Sequence, residues 1–256
     1  KTSLTRYLQS FPQGAFSVDA SYYLGLIDYN QKDYAAAAAR LEEVLRFSGS
    51  KYEGKALALC ADMAYNQKEY AKALNLYKRL ADRSAGGVQE ERLQAEVGAL
   101  RSACALGDRA ETVTTASALL KQSKLTPEVR SEALYFRAKA LLAEGQKKAA
   151  LADLTELAKD TRNVYGAEAK YLVAQTYFDE GETAKAEKEV LEYIEVSTPH
   201  AYWLARSFVL LSDVYVKLDR KMEAKQYLLS LQQNYQADDD IAGMIESRLE
   251  KLKSVK

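Results

Sequence analysis

Apolar and small residues recur along this chain at helical spacing, with polar residues filling the gaps. In AKYLVAQTYFDEG, Tyr171, Ala174 and Phe178 fall at i, i+3 and i+7, and Val173 and Tyr177 widen the stripe. That spacing predicts an amphipathic helix. In AKAEKEVLEYIE, which follows, Ala186, Val190, Tyr193 and Ile194 share one side. Gly181 stands between the two stretches and can end the first helix, because glycine tolerates positive φ. Near the end of the chain, Ile241, Met244, Ile245, Leu249 and Leu252 form a last stripe behind Asp238-Asp239-Asp240. Three carboxylates at that position suit the positive end of a helix dipole.

The helix-turn-helix phrase is written several times. YNQKDYAA at Tyr29–Ala36 and YNQKEYAK at Tyr65–Lys72 differ at two positions, Asp33/Glu69 and Ala36/Lys72. Taking the turn residue as marker, the phrase returns at Lys32, Lys68, Gly107, Gly145, Gly181 and Asp219, with spacings of 36, 39, 38, 36 and 38. Five residues after each marker stands Ala37, Ala73, Thr112, Ala150, Ala186 or Ala224. Seven residues before it stands Gly25, Ala61, Leu100, Ala138, Ala174 or Ser212. Small residues hold both columns except at Leu100, as expected where two helix backbones cross closely. Pro12, Pro127 and Pro199 lie between units, and Thr126-Pro127 and Thr198-Pro199 predict an N-cap followed by proline in the first turn. Helix pairs that cannot bury their own apolar faces stack on neighbouring pairs.

These columns resemble the tetratricopeptide repeat, with its small residue late in the first helix, its Gly-Asp-Tyr-like turn and its alanine in the second helix. The resemblance runs from about residue 15 to 236, although the units exceed the roughly 34 residues usual for the family. Sel1-like repeats would need glycine-rich turns, which are missing here, and armadillo and HEAT units are usually longer. The implied fold is all-α, a right-handed superhelical solenoid of about six repeats with partial repeats at both ends. The expected divisions are 1–13, the second helix of a preceding repeat; 14–50, 51–84, 85–124, 125–162, 163–198 and 199–237, the six repeats; and 238–256, a capping helix. The long units and the FPQGAFSVDASYYLG segment after YLQS resemble repeat proteins of the Gram-negative cell envelope. That resemblance implies a periplasmic or envelope location, with the cytoplasm still open.

Composition narrows the chemistry. Lys plus Arg and Asp plus Glu are balanced at 36 each, which argues against a nucleic-acid binder. No run of about 20 apolar residues spans a bilayer, and no signal peptide is visible. The chain opens at Lys1, as a processed or excised piece would. Cys60 and Cys104 sit among apolar helical neighbours and are expected to be small buried thiols; nothing in their spacing asks for a disulfide or a metal. His200 is the one histidine, expected at the surface or at a cap. HExxH, CxxC, P-loop and GxSxG patterns are absent, and Gly86-Gly87 is expected to be a loop between units. Neither catalysis, metal nor cofactor is therefore expected.

The expected function is a non-enzymatic interaction scaffold for a protein or peptide. In the resembled family the first helix of each repeat lines the concave face. Counting from the markers, one inward column is Tyr22, Ala58, Val97, Tyr135, Tyr171 and Val209, and the next is Leu26, Asp62, Arg101, Lys139, Gln175 and Asp213. A third is Tyr29, Tyr65, Cys104, Leu142, Phe178 and Val216, and a fourth begins with Asn30 and Asn66. The groove candidates are thus Tyr22, Tyr29, Asn30, Asp62, Tyr65, Asn66, Arg101, Tyr135, Lys139 and Tyr171. Asparagine offers both donor and acceptor to a peptide backbone, Arg and Lys pair with carboxylates, and tyrosine gives contact area at little entropic cost. The aromatic columns are shared between this role and helix packing. Alternatives are a helical accessory domain of a cell-wall enzyme, like that attached to some lytic transglycosylases, and a self-assembly module.

Overall fold

A computed structural model describes residues 1–86 and 89–254. Gly87 of the glycine pair, and Val255 and Lys256 of the expected capping segment, lie outside the described residues. The chain forms two compact units, Lys1–Gln122 and Ser123–Lys256. The first contains α1 (Thr2–Ser10), α2 (Ser17–Asn30), α3 (Tyr34–Leu45), α4 (Glu53–Asn66), α5 (Tyr70–Arg83), a 3-10 turn (Ser84–Gly86), α6 (Gln89–Leu106) and α7 (Arg109–Leu120). The second contains α8 (Pro127–Ala143), α9 (Lys147–Leu157), α10 (Val164–Asp179), α11 (Thr183–Glu195), α12 (Ala201–Lys217), α13 (Lys221–Asn234) and α14 (Ile241–Ser254). No strand occurs among the described residues. The fold is all-α and tetratricopeptide-like.

One turn is built six times. Lys32, Lys68 and Asp219 have φ of 62°, 62° and 59°, and Gly107, Gly145 and Gly181 have 77°, 75° and 78°. Each following residue donates its backbone N–H to the carbonyl five positions back, from Asp33 to Asp28 through Arg220 to Tyr215, at 2.8–3.1 Å. That bond satisfies the orphan carbonyls of the last helical turn, as in a Schellman C-cap. Glycine adopts the left-handed geometry freely, whereas a residue with Cβ bears roughly 1–2 kcal/mol of strain there. The carboxylates of Asp33 and Asp108 then accept from Ala36 N at 3.2 Å and Glu111 N at 3.0 Å, starting the next helix.

The two small-residue columns are buried. Ala37, Ala73, Ala150, Ala186 and Ala224 are fully buried, as are Ala61 and Ala138. A Cβ on Gly25 would lie 2.8 Å from Leu41 Cγ, so the α2–α3 approach leaves no room for one. Thr112 and Ser212 are tolerated in these columns because their hydroxyls donate to Asp108 O at 2.7 Å and Val209 O at 2.6 Å. Leu100, the exception in size, is nonetheless buried.

Thr126 caps α8 as expected, accepting from Val129 N at 3.4 Å with Pro127 in the first turn. The matching expectation at Thr198-Pro199 is corrected: α12 starts at Ala201 and Pro199 precedes it. Thr198 is engaged elsewhere. Its hydroxyl donates to Thr161 O at 2.8 Å and accepts from His200 N at 3.2 Å. His200 Nε2 lies 2.9 Å from Arg162 O, so the lone histidine ties two inter-helix loops together.

Candidate partner-binding face

Within the second unit the first helices of successive pairs are neighbours, α8 touching α10 and α10 touching α12. Their side chains form one decorated face. Lys139 of α8 places Nζ 2.7 Å from Glu168 Oε1 on α10, and Tyr135 donates its hydroxyl to Glu168 Oε2 at 2.8 Å. Glu168 is buried, so both of its oxygens are committed. The Tyr135 ring also stacks on Tyr165, centroids 4.6 Å apart.

A polar chain runs beside this cluster. Arg206 of α12 donates to the Tyr171 hydroxyl at 3.2 Å and to the Tyr202 hydroxyl at 3.0 Å. Tyr171 donates to Gln175 Oε1 at 2.9 Å, and Gln175 Nε2 donates to Asp179 Oδ1 at 2.8 Å. Burial opposes the charge on Arg206, but the Tyr171 and Tyr202 hydroxyls outweigh it and hold the group above its ordinary value. The guanidinium lies 5.1 Å from the Tyr171 ring centroid, and Trp203 tilts against the same ring at 5.7 Å.

In the first unit the candidates are arranged differently. Tyr22 is buried and stacked on Tyr52 at 4.1 Å. Tyr29 and Tyr65 are half-buried, each edge-on to the tyrosine five residues later, at 5.6 Å from Tyr34 and 5.4 Å from Tyr70. The repeated phrase thus builds the same aromatic pair twice, and the exposed Asn30 and Asn66 stand beside it. Asp62 is exposed and accepts from the Tyr77 hydroxyl at 2.5 Å. Burial first, then that hydrogen bond, raise the Tyr77 phenol, while the Arg101 charge acts in the opposite direction. Arg101 is exposed on α6.

The candidates therefore fall into two sets. Asn30, Tyr29, Asp62, Tyr65, Asn66 and Arg101 belong to the first unit with the buried Tyr22; Tyr135, Lys139 and Tyr171 belong to the second. Sequence reasoning did not find Glu168, Arg206, Tyr165, Tyr202 or Trp203. A signal for them existed. The ring ten before a marker packs on the ring sixteen before the next: Tyr22 and Tyr135 stack on Tyr52 and Tyr165 at 4.1 and 4.6 Å, and Trp203 tilts against Tyr171 at 5.7 Å. The position thirteen before the marker bonds to the same tyrosines, as Asp19 to Tyr52, Glu168 to Tyr135 and Arg206 to Tyr171. An aromatic pair across adjacent units, accompanied by an acid or an arginine, was readable from the chain.

Cys60 is buried and Cys104 half-buried, and no disulfide joins them. Burial pushes the Cys60 thiol up to about 12. No group of three or more His, Cys, Asp or Glu side chains among the described residues is placed to hold a metal ion. No helix among them is long and apolar enough to cross a membrane.

No family profile matches the chain, and no curated protein does. Solved structures do. The chain is similar to the quorum sensor NprR from B. thuringiensis, with a TM-score of 0.58 and 12% identity over 98% of this chain and 75% of that one. It is similar to PilW, a type IV pilus biogenesis factor, with a TM-score of 0.51 and 18% identity over 91% of this chain and 100% of that one. It is also similar to a chain of Naa15/Naa10 bound to HypK-THB, with a TM-score of 0.61 and 19% identity over 97% of this chain and 36% of that one. A kinesin light chain with TPR-like repeats from Podospora anserina gives 0.54 at 15% identity, over 79% of this chain and 99% of that one. At such identities the likeness establishes the fold, that of tetratricopeptide-repeat proteins.

Proposed function

We propose that this chain is a non-enzymatic scaffold that holds a segment of a partner protein against the faces formed by its first helices. The observation that carries the reading is the fixed display on α8, α10 and α12. Lys139, Tyr135, Arg206 and Gln175 are each held by a partner within the fold. Side chains already ordered lose less entropy on binding. Tyrosine and tryptophan edges give area, and the Lys139 and Arg206 charges give register. One structure of the same fold, Naa15/Naa10, is recorded with HypK-THB bound, which is compatible with such a role.

An incoming carboxylate at Lys139 has to compete with Glu168, so an acid at that point gains little. Aromatic and backbone contacts supply the affinity on this unit. On the first unit, Asn30 and Asn66 offer paired donors and acceptors to an extended backbone. The test is selection of peptides from a random display library on the immobilised chain, followed by binding to the Arg101→Glu/Lys139→Glu double variant. Selected peptides are expected to lose at least about tenfold in affinity, the effect of one charge-assisted hydrogen bond at Arg101, with Lys139→Glu adding little because Glu168 already engages that lysine. Helical content by circular dichroism should be unchanged. Peptides that bind both proteins equally well would overturn the assignment to this face.

A further inference from the structure

A hollow of about 330 Å3 opens between α1, α2 and α3, and none of its lining residues is among the partner-binding candidates. Its apolar walls are Leu8, Pro12, Val18 and Phe47, and its charged ones are Arg40, Glu43 and Arg46. Glu43 is already engaged, accepting from Ser21 Oγ at 3.2 Å with Arg40 Nη1 at 3.8 Å. Arg46, at the C-cap of α3, has no side-chain partner among the described residues. Four other arginines are matched, Arg130 with Glu156, Arg137 with Asp153, Arg220 with Glu187 and Arg248 with Asp213, all at 2.6–2.8 Å, whereas Arg6 and Arg79 resemble Arg46 in having no such pair. Phe47 is 51% exposed, and Phe11 and Phe16, each one residue outside a lining position, are 58% and 66% exposed. The exposed Phe47 ring on the wall of the hollow, with the exposed Phe11 and Phe16 rings gathered about Tyr7 nearby in the chain, is the kind of apolar surface that marks a contact site.

The same place in the second unit provides a control. A hollow there is lined by Pro127, Leu134, Glu156, Lys159 and Asp160. Glu156 occupies the repeat position of Glu43, and Lys159 that of Arg46. Arg130 reaches across and neutralises Glu156 at 2.8 Å. Asp160 stands where the first unit has Phe47. The second hollow thus has its glutamate matched and an acid in place of the aromatic rim, while its Lys159, like Arg46, has no side-chain partner among the described residues. The first keeps an uncommitted guanidinium beside apolar walls.

We infer that the α1–α2–α3 hollow is a second docking site, which takes an internal segment of a partner protein bearing an Asp or Glu next to a large apolar residue. The carboxylate pairs with the Arg46 guanidinium, with Arg40 beside it. The apolar side chain lies on Leu8, Pro12, Val18 and Phe47. Exposed rings beyond the hollow suit a segment that crosses it rather than one that ends in it.

The probe is a random twelve-residue library displayed with no free C-terminus, selected on the intact chain and then measured as synthetic peptides by fluorescence anisotropy. The expected result is a class of peptides pairing an acid with a neighbouring aromatic or aliphatic residue. Their affinity should fall at least about tenfold on Arg46→Glu, fall also on Phe47→Ala, and be retained on Arg101→Glu/Lys139→Glu. That last arm separates this site from the first-helix face, so either can fail alone. Because Arg46 and Phe47 are exposed, both variants should fold, with circular dichroism as the check. An absence of acid-apolar peptides overturns the inference, as does indifference to Arg46→Glu. Peptides that bind only with a free C-terminal carboxylate also overturn it. So does a dimer, seen by light scattering, that Arg46→Glu dissolves, because the occupant would then be a second copy.

Discussion

The two terminal helices both have amphipathic sequences, yet they are attached in different ways. α14 buries Ile241 and Ile245 completely or nearly so, and packs Met244, Leu249 and Leu252 against the cluster containing Val209, Leu228 and Leu231. α1 buries no residue at all. It is held at its edges: the Tyr7 ring lies 5.5 Å from Phe11 and 6.4 Å from Phe16, and the Tyr7 hydroxyl accepts from Phe16 N at 3.1 Å. Lys1 Nζ meets the buried Asp28 carboxylate at 2.5 Å. An apolar stripe is therefore enough to predict a helix and not enough to predict its burial. Burial depends on the cleft that the preceding helices present. α12 and α13 present one that accepts branched side chains, while α2 and α3 leave an open hollow lined by arginines.

Core truncation should break this comparison most sharply. Ile245→Ala is expected to cost about 2–5 kcal/mol, because it removes a buried branched side chain and leaves a cavity. Trp203, the one tryptophan, lies in the second unit, so its fluorescence in urea reads that loss directly. Leu4→Ala on α1 should cost less than about 1 kcal/mol and leave the Trp203 transition where it was. A Leu4→Ala effect as large as that of Ile245→Ala would mean that α1 is a packed cap after all.

A charge deletion should give the next largest effect. Lys1→Ala leaves the Asp28 carboxylate buried and unmatched, at a cost of about 1–3 kcal/mol. Adding Asp28→Asn should restore most of it. Equal losses in the single and double variants, measured by urea unfolding followed by circular dichroism, would show that this ion pair does not hold α1.

The smallest effect is in pH dependence, and the two ends should respond in opposite directions. Hydrogen bonds from Lys51 and then Tyr52 lower the Asp19 carboxyl below its ordinary value. Its contribution is present at neutral pH and is lost as pH falls below the ordinary carboxylate range. Burial, then the bond to Asp239, push Tyr235 up to about 12. That contribution is present below the ordinary phenol value and is lost as pH rises toward about 12. The Tm difference between wild type and Asp19→Asn should therefore vanish in acid, and that between wild type and Tyr235→Phe in alkali. Differences constant across pH would remove these bonds from the stability of either end.

Much of the fold was legible in the chain. The turn markers were chosen from sequence alone, and all six have positive φ. The small columns proved to be buried, and at Gly25 the paired helices leave no room for a Cβ. Both features are local: they depend on residues within one helix-turn-helix, whose backbone geometry and Cβ volume a sequence states directly. The N-cap expected at Thr198 failed because its hydroxyl accepts from His200 N while it donates to Thr161 O, 37 residues earlier, and the helix begins only at Ala201. The candidate face was legible only as columns. Tyr22 and Tyr171 were placed in an inward column and are buried. Lys139 was noted as a cation, without the Glu168 that occupies it.

By itself the sequence determined that the chain is helical, where each turn falls and which residues let paired helices approach. Tertiary structure decided which tyrosines are covered, which charges are already matched and which end helix is packed. The physical reason is range. Turn geometry is set by a few consecutive residues, whereas the fates of Tyr135, Lys139 and Arg206 are set by side chains about thirty residues away, on a neighbouring repeat.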